Sequence, residues 1–259
     1  MATATGGAPG ALPQHGRVLP AFGIIGWRWI SRNPASAISP ILLPFVFLYF
    51  LRLISPIALF PLEVVGAMLF TTINVGNWVL ADSATWRIEL GIQDLFVASP
   101  LNKMRYLFGI AFSNLIAAAP ALVALAILLG FATPVSPLGW AVLVGSITVL
   151  WVLFSAIGIA LSSRLGSYRE VWPVGSLAFT TLGLLSPLYY PLSVLPPVWR
   201  EVALFLPATY AALLIQGTLG LVPQSSVELA LDGAILIALA VIGTVVAISL
   251  YRWRTSGAG

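Results

Sequence analysis

The sequence predicts an all-α protein that crosses a membrane several times, and three observations carry this prediction. The chain is 59% hydrophobic and only 8% charged, whereas soluble domains carry about 25% charged residues. Uncharged runs of 18, 19 and 58 residues recur along it. The charges concentrate in short stretches between these runs. Because unpaired backbone groups are costly in lipid, we expect the uncharged runs to be membrane-spanning helices.

The N-terminal sequence predicts two segments that do not span the membrane. Residues 1–17 are small and polar without a signal-peptide pattern, so we expect a disordered cytoplasmic tail. In residues 18–32, the side chains of Leu19, Phe22, Gly26, Trp29 and Ile30 share one helical face. This pattern predicts an amphipathic helix lying in the plane of the membrane interface.

The remaining residues, 33–259, predict one domain of six spans. Asn33-Pro34 breaks the first helix, and residues 133–140 divide the longest uncharged run in two. The six spans are predicted at about 38–59, 64–81, 107–131, 138–161, from 171 onward, and 233–251.

A seventh span within the uncharged residues 202–227 is disfavoured. Pro207 and Pro223 bracket only 15 residues, or about 22 Å of helix, against a hydrocarbon core of about 30 Å. Six spans with an inner N-terminus place ten Lys and Arg residues inside, and leave only Arg52 and Arg200 outside. Because basic residues favour the cytoplasmic side, we expect both termini in the cytoplasm and outer re-entrant helices over 187–222.

Composition also excludes several functions. There is no cysteine, and the single histidine, His15, lies in the N-terminal tail, which excludes thiolate catalysis and metal sites built on these residues. No basic run indicates nucleic-acid binding. Two alternatives stay open: a membrane enzyme acting on lipids, for which only Asp82 and Glu89 form a near pair of carboxylates, and an ion-coupled transporter, which would need ionised groups at span centres.

One inner segment is unusually charged. Six of the 20 charged residues fall between Asp82 and Arg105. Within it, Ile92, Leu95 and Phe96 have the i, i+3, i+4 spacing of an apolar helical face, which predicts a short amphipathic helix over about 87–99. These charges either serve only to fix the orientation of the chain in the membrane, or contact a partner protein.

The text of this segment, "RIELGIQDLFVASPLNKMRYLFG", resembles the cytoplasmic signature of type-2 ATP-binding-cassette (ABC) exporter permeases. The matching residues are Glu89, Gly91, Asp94, Leu95, Phe96, Ser99, Pro100 and Gly109. The departures are Ile92, Gln93 and Ile110. Residues 31–50 are also similar to the entry of the first span in drug- and lipid-type members of that family, and residues 186–217 resemble the family's outer segment.

The resemblance implies that the short helix is a coupling helix docking on a separate ATPase. The implied coupling residues are Arg87, Glu89, Gly91, Ile92, Asp94, Leu95, Phe96, Ser99 and Pro100. Lys103 is not preceded by glycine, so the chain lacks a P-loop. ATP and Mg are therefore expected on the partner, and no cofactor on this chain. The implied assembly has two ATPase subunits and a second permease, identical or paralogous, in a prokaryotic plasma membrane.

Polar residues inside the predicted spans are candidates for a substrate path, because each is costly in hydrocarbon unless it is paired or faces water. They are Thr71, Asn74, Asn77 and Trp78 in the second span and Thr180 and Thr181 in the fifth. The alternative is hydrogen bonding between helices. Tyr189, Tyr190 and Pro191 are expected to form either an outer gate or an interfacial aromatic belt. The absence of midplane charge favours a hydrophobic or amphipathic cargo: a drug, antibiotic or lipid.

Overall fold

A computed structural model describes residues 18–99 and 101–251, and within them it contains helices and no strand. The tail 1–17, Pro100 and residues 252–259 lie outside the described residues. The helices are α1 Val18–Arg32, α2 Pro34–Ile54, α3 Phe60–Ile88, α4 Ile92–Ala98, α5 Lys103–Ala132, α6 Pro137–Ser162, α7 Val171–Gly175, α8 Thr181–Leu185, α9 Pro197–Ala203, α10 Pro207–Thr218 and α11 Ser226–Leu250.

Four helical segments of the described chain are long and apolar enough to cross a membrane: Ile57–Ile88, Lys103–Ala132, Pro137–Ser162 and Ser226–Leu250. A fifth results if α9 and α10, bent by 100° to one another, are counted as one broken span. The apolar part of α2, Leu42–Ile54, is shorter than these spans. The segment α7–α8 is also shorter, and it consists of two five-residue helices joined by a five-residue π-turn. The chain is thus a multi-pass membrane protein, and the count of six spans stays a prediction.

Three predicted helix boundaries are wrong. α3 continues past Ala81 to Ile88, so Asp82 and Arg87 belong to it, and the short inner helix begins only at Ile92. These charges do not end α3 because both side chains find hydrogen-bond partners on other helices. α11 begins at Ser226 rather than near 233, because Ser225 and Glu228 form a reciprocal capping box at its start.

The core is organised around α3. Val64, Leu69, Ile73 and Leu80 on this helix are fully buried, and α3 packs mainly on α6 and α5. α1 packs along α5, where Phe22 is 3% exposed against Gly109. Because Phe22 is held by another helix, α1 is an integral part of the bundle; its orientation in the membrane plane stays a prediction.

The crossing of α3 and α6 depends on two glycines. A Cβ at Gly158 would collide with the carbonyl oxygen of Gly76, and one at Gly76 would lie 2.6 Å from the carbonyl oxygen of Phe154. Small residues allow such close backbone approach between membrane helices, where packing rather than water drives association. The two backbones therefore touch at this point.

Replacing Gly158 with alanine should destabilise the protein, because the new methyl group forces α3 and α6 apart at a cost of about 2 kcal/mol. The matched control is Gly145→Ala on the same helix, where a Cβ would meet no atom within 4 Å. Thermal unfolding of the two variants in detergent should show a lower midpoint for Gly158→Ala only. Equal midpoints would contradict the close crossing.

Candidate functional site

The short helix α4 leaves α3 through a sharp turn. Gly91 adopts a left-handed conformation, with φ of 60°, which favours glycine because it lacks a Cβ. At the other end, the Ser99 hydroxyl donates to the carbonyl of Phe96 at 2.8 Å and accepts from the amide of Leu101 at 3.3 Å. Gly91 and Ser99, both singled out in the sequence, therefore set the two ends of α4.

The inner face of α4 is fixed by an aromatic cluster of four rings. The Phe96 ring lies 6.0 Å from Phe22, 6.3 Å from Trp86 and 5.0 Å from Tyr106, measured between centroids. These residues come from α1, α3 and α5. Such pairs stabilise by about 1 kcal/mol each beyond their buried area. One side chain of α4 is thus packed against three other helices.

Gln93 is the second anchor of α4, and the sequence did not indicate it. Its side chain is 1% exposed and accepts a hydrogen bond at 3.0 Å from the hydroxyl of Tyr251, just beyond α11. Burial raises the pKa of Tyr251 to about 12, so the hydroxyl keeps its proton at neutral pH. Gln93 lies outside the predicted apolar face of Ile92, Leu95 and Phe96, yet its side chain is packed against the bundle. The partners are 158 residues apart, and no local pattern could pair them.

Two cations at the same end bind the C-termini of helices. Arg87 donates from Nη2 to the carbonyls of Ser162 and Leu165, at 2.6 Å each, where α6 ends. Lys103 donates from Nζ to the carbonyls of Ile248 and Tyr251, at 3.0 and 3.3 Å, where α11 ends. Positive charge is favourable there because the last carbonyls of a helix carry partial negative charge. Arg87 thus joins α3 to α6.

Other predicted coupling residues lie on the side of α4 that faces away from the bundle, or in the turn just before α4. Leu95 is 71% exposed and Leu90 is 58% exposed. Glu89 is exposed, and Ile92 and Asp94 are half-buried. The single apolar face expected from Ile92, Leu95 and Phe96 is therefore divided, because consecutive residues lie about 100° apart around a helix and only Phe96 meets the rings of α1, α3 and α5. We refer to Glu89, Leu90 and Leu95 as the α4 outer surface.

The predicted substrate-path residues do not share one environment. Thr71 and Asn74 hydrogen-bond the carbonyls of Ala67 and Phe70 on their own helix, at 2.7 and 2.9 Å. Asn77 is buried and its side chain contacts Gly175. Thr180 is half-buried, whereas Thr181 is exposed. Their role in a substrate path stays a prediction. Trp78 lines a cavity between helices of the bundle.

That cavity has a volume of about 510 Å³ and lies between α1, α3, α5 and the start of α7. Its lining residues are Gly26, Trp29, Trp78, Ala81, Asp82, Thr85, Ser113, Asn114, Ala117, Tyr168 and Trp172. The amide of Asn114 donates to Asp82 Oδ2 at 2.8 Å and to the carbonyl of Ile110 at 3.1 Å. One carboxylate thus lies on the wall of a cavity to which four aromatic side chains also contribute.

The aromatic residues predicted at the outer end are partly packed. The Tyr189 ring lies edge-on to Phe47 at 4.9 Å and tilted to Phe70 at 6.4 Å, and so contacts α2 and α3. Tyr190 and Pro191 are half-buried. A gate role for this group stays a prediction. The described residues contain no group of histidines or carboxylates that could hold a metal ion.

Comparison with protein families agrees with this architecture. The family model of ABC-2 type transporters matches residues 23–219, which include α4, three of the four rings of the aromatic cluster and the bent pair α9–α10. Comparison with curated proteins finds no match. Domains of this family are the permease components of type-2 ABC transporters and are not catalytic. This chain therefore belongs to the ABC-2 type transporter family, as a transmembrane subunit of an ABC transporter.

Proposed function

We propose that the chain is the permease of an ATP-driven exporter that moves a hydrophobic or amphipathic compound outward by alternating access. It acts as a dimer, with an identical or paralogous second permease, and two separate ATPase subunits supply the energy. The observation that carries the proposal is the two-sided character of α4. Its outer surface presents Leu95, 71% exposed, while Phe96 and Gln93 hold its inner side to the bundle.

This arrangement suits the transfer of motion from a docked protein. Exposed apolar residues with neighbouring charge are typical of a docking patch, whose central side chains contribute most of the affinity. A displacement of α4 moves Phe96, whose ring contacts α1, α3 and α5. It also moves Gln93, which is hydrogen-bonded to Tyr251 at the end of α11. A displacement of α4 is therefore transmitted to four helices of the bundle: α1, α3, α5 and α11.

The distribution of charge supports a cytoplasmic location for α4 and both termini, in a prokaryotic plasma membrane. Arg87, Lys103 and Arg105 flank α4, whereas Arg200 is the only basic residue between residues 170 and 251. Basic residues are retained on the cytoplasmic side of membranes. The outer side then carries α9, α10 and the aromatic group at Tyr189 and Tyr190.

Topology can be tested by cysteine labelling, since the chain contains no cysteine of its own. Leu95→Cys and Val198→Cys introduce thiols at positions that are 71% and 70% exposed. A membrane-impermeant maleimide should label Val198→Cys in intact cells, and Leu95→Cys only after permeabilisation. Labelling of Leu95→Cys in intact cells would overturn the proposed orientation.

Docking on the ATPase is tested by truncating Leu95. Leu95→Ala should reduce the amount of P-loop ATPase that copurifies with the chain by about fivefold, because a central apolar contact of an interface contributes about 1 kcal/mol or more. Val198→Ala removes a comparably exposed side chain on α9 and should change nothing. If no P-loop ATPase copurifies with the wild-type chain, the proposed function is wrong.

Transmission is tested separately from docking. Tyr251→Phe removes the hydroxyl that binds Gln93 and keeps the ring. Copurification of the ATPase should persist, while cargo-stimulated ATP hydrolysis in reconstituted vesicles falls about fivefold, which corresponds to about 1 kcal/mol for one lost hydrogen bond. The control is Tyr49→Phe, whose ring on α2 is 63% exposed. Unchanged stimulation in Tyr251→Phe would exclude this route.

A further inference from the structure

The cavity between α1, α3 and α5 combines one carboxylate with four aromatic side chains. Asp82 lies on the wall contributed by α3, beside Trp78. Trp29 comes from α1, and Tyr168 and Trp172 come from the segment around the start of α7. No lysine or arginine lines the cavity.

The charge of Asp82 has no counter-ion in the part of the chain that the structure describes. Its hydrogen bond comes from the neutral amide of Asn114, at 2.8 Å, and Asn114 is itself only 6% exposed. A carboxylate inside a membrane helix is costly and is normally paired or faces a water-filled cavity. The cavity wall therefore favours a positively charged guest.

The aromatic residues favour a particular kind of cation. The faces of tryptophan and tyrosine rings carry negative potential and attract ammonium and related groups by about 0.5–2 kcal/mol each, most when water is excluded. An inorganic cation would need several oxygen ligands. Asp82 is the only carboxylate on the wall. An organic cation with an apolar body matches both the single charge and the rings.

Size and access agree with this chemistry. The volume of about 510 Å³ falls within the roughly 300–1,000 Å³ of pockets that bind drug-sized molecules. Trp29 is 46% exposed and Trp172 is 52% exposed, so two rings of the cavity also reach its surface. The hydroxyls of Thr85 and Ser113 on the wall can accept hydrogen bonds from a protonated amine.

We propose that this cavity binds lipophilic organic cations of drug-like size, with Asp82 as the counter-ion and Trp29, Trp78, Tyr168 and Trp172 as the aromatic wall. The inference rests on the proposed function and adds to it the class of cargo. Asp82 is the charge-selecting residue. The aromatic wall selects for an apolar body.

The experiment compares two probes of the same shape and opposite charge, tetraphenylphosphonium and tetraphenylborate. Each is titrated separately by calorimetry into the purified chain in neutral-lipid nanodiscs. The wild-type protein should bind the cation at least about tenfold more tightly than the anion. Asp82→Asn keeps the size of the side chain and should weaken cation binding about tenfold, or about 1.4 kcal/mol. Asp232→Asn, at a buried carboxylate of α11 outside the cavity, should leave it unchanged.

Trp172→Leu provides a second variant, because it removes an exposed ring at the surface of the cavity and keeps an apolar side chain. It should weaken cation binding about fivefold at an unchanged thermal midpoint. Equal affinity for both probes, or undiminished cation binding by Asp82→Asn, would overturn the proposal. The assay contains no ATPase, so loss of the cation site and loss of ATPase copurification are separate results, and either proposal can fail while the other holds.

Discussion

The contact of two glycine backbones, Gly76 on α3 and Gly158 on α6, is the constraint on which the rest of the structure depends. In a bilayer there is no hydrophobic drive to bring apolar helices together, so close packing and hydrogen bonds determine their arrangement. With the backbones in contact, the hydroxyl of Ser162 reaches Ser83 at 2.9 Å and Arg87 reaches the end of α6. α3 is thereby fixed along the C-terminal half of its length, which leads to α4.

A fixed α3 explains how one helix supports both α4 and the cavity. Trp86 contributes a ring to the cluster that holds Phe96, while Asp82 and Trp78 lie on the cavity wall. These three residues fall within nine positions of one helix. α1 contributes Phe22 to the cluster and Trp29 to the cavity. α5 likewise contributes Tyr106 to the cluster and Asn114 to the cavity. A movement of α4 relative to the bundle therefore acts on the same three helices that enclose the cavity.

The sequence predicted the short helix and its C-terminal end, where Ser99 binds a nearby carbonyl, but it placed the start at about 87 rather than at Ile92, because α3 continues to Ile88 and the left-handed turn at Gly91 separates the two helices. It did not predict which side of that helix is packed. Leu95 and Phe96 are adjacent and both apolar, and only the neighbouring rings of Phe22, Trp86 and Tyr106 decide that Phe96 turns inward. The hydrogen bond of Gln93 to Tyr251 was equally hidden, because it joins residues far apart in the chain.

By itself the sequence determined that this is a helical membrane protein, because an 8% charge content and long uncharged runs leave lipid as the only suitable solvent for most of the surface. Its membership of the ABC-2 family rests instead on the family match over residues 23–219. Tertiary structure alone decided how its few charges are used. The sequence predicted that the second span ends at about Ala81 and that Arg87 belongs to the short helix after it. Asp82 and Arg87 both lie on α3 instead, where they are hydrogen-bonded to Asn114 and to the end of α6. A polar side chain in an apolar chain is placed by the partner that satisfies it, and such partners are brought together only when the helices pack.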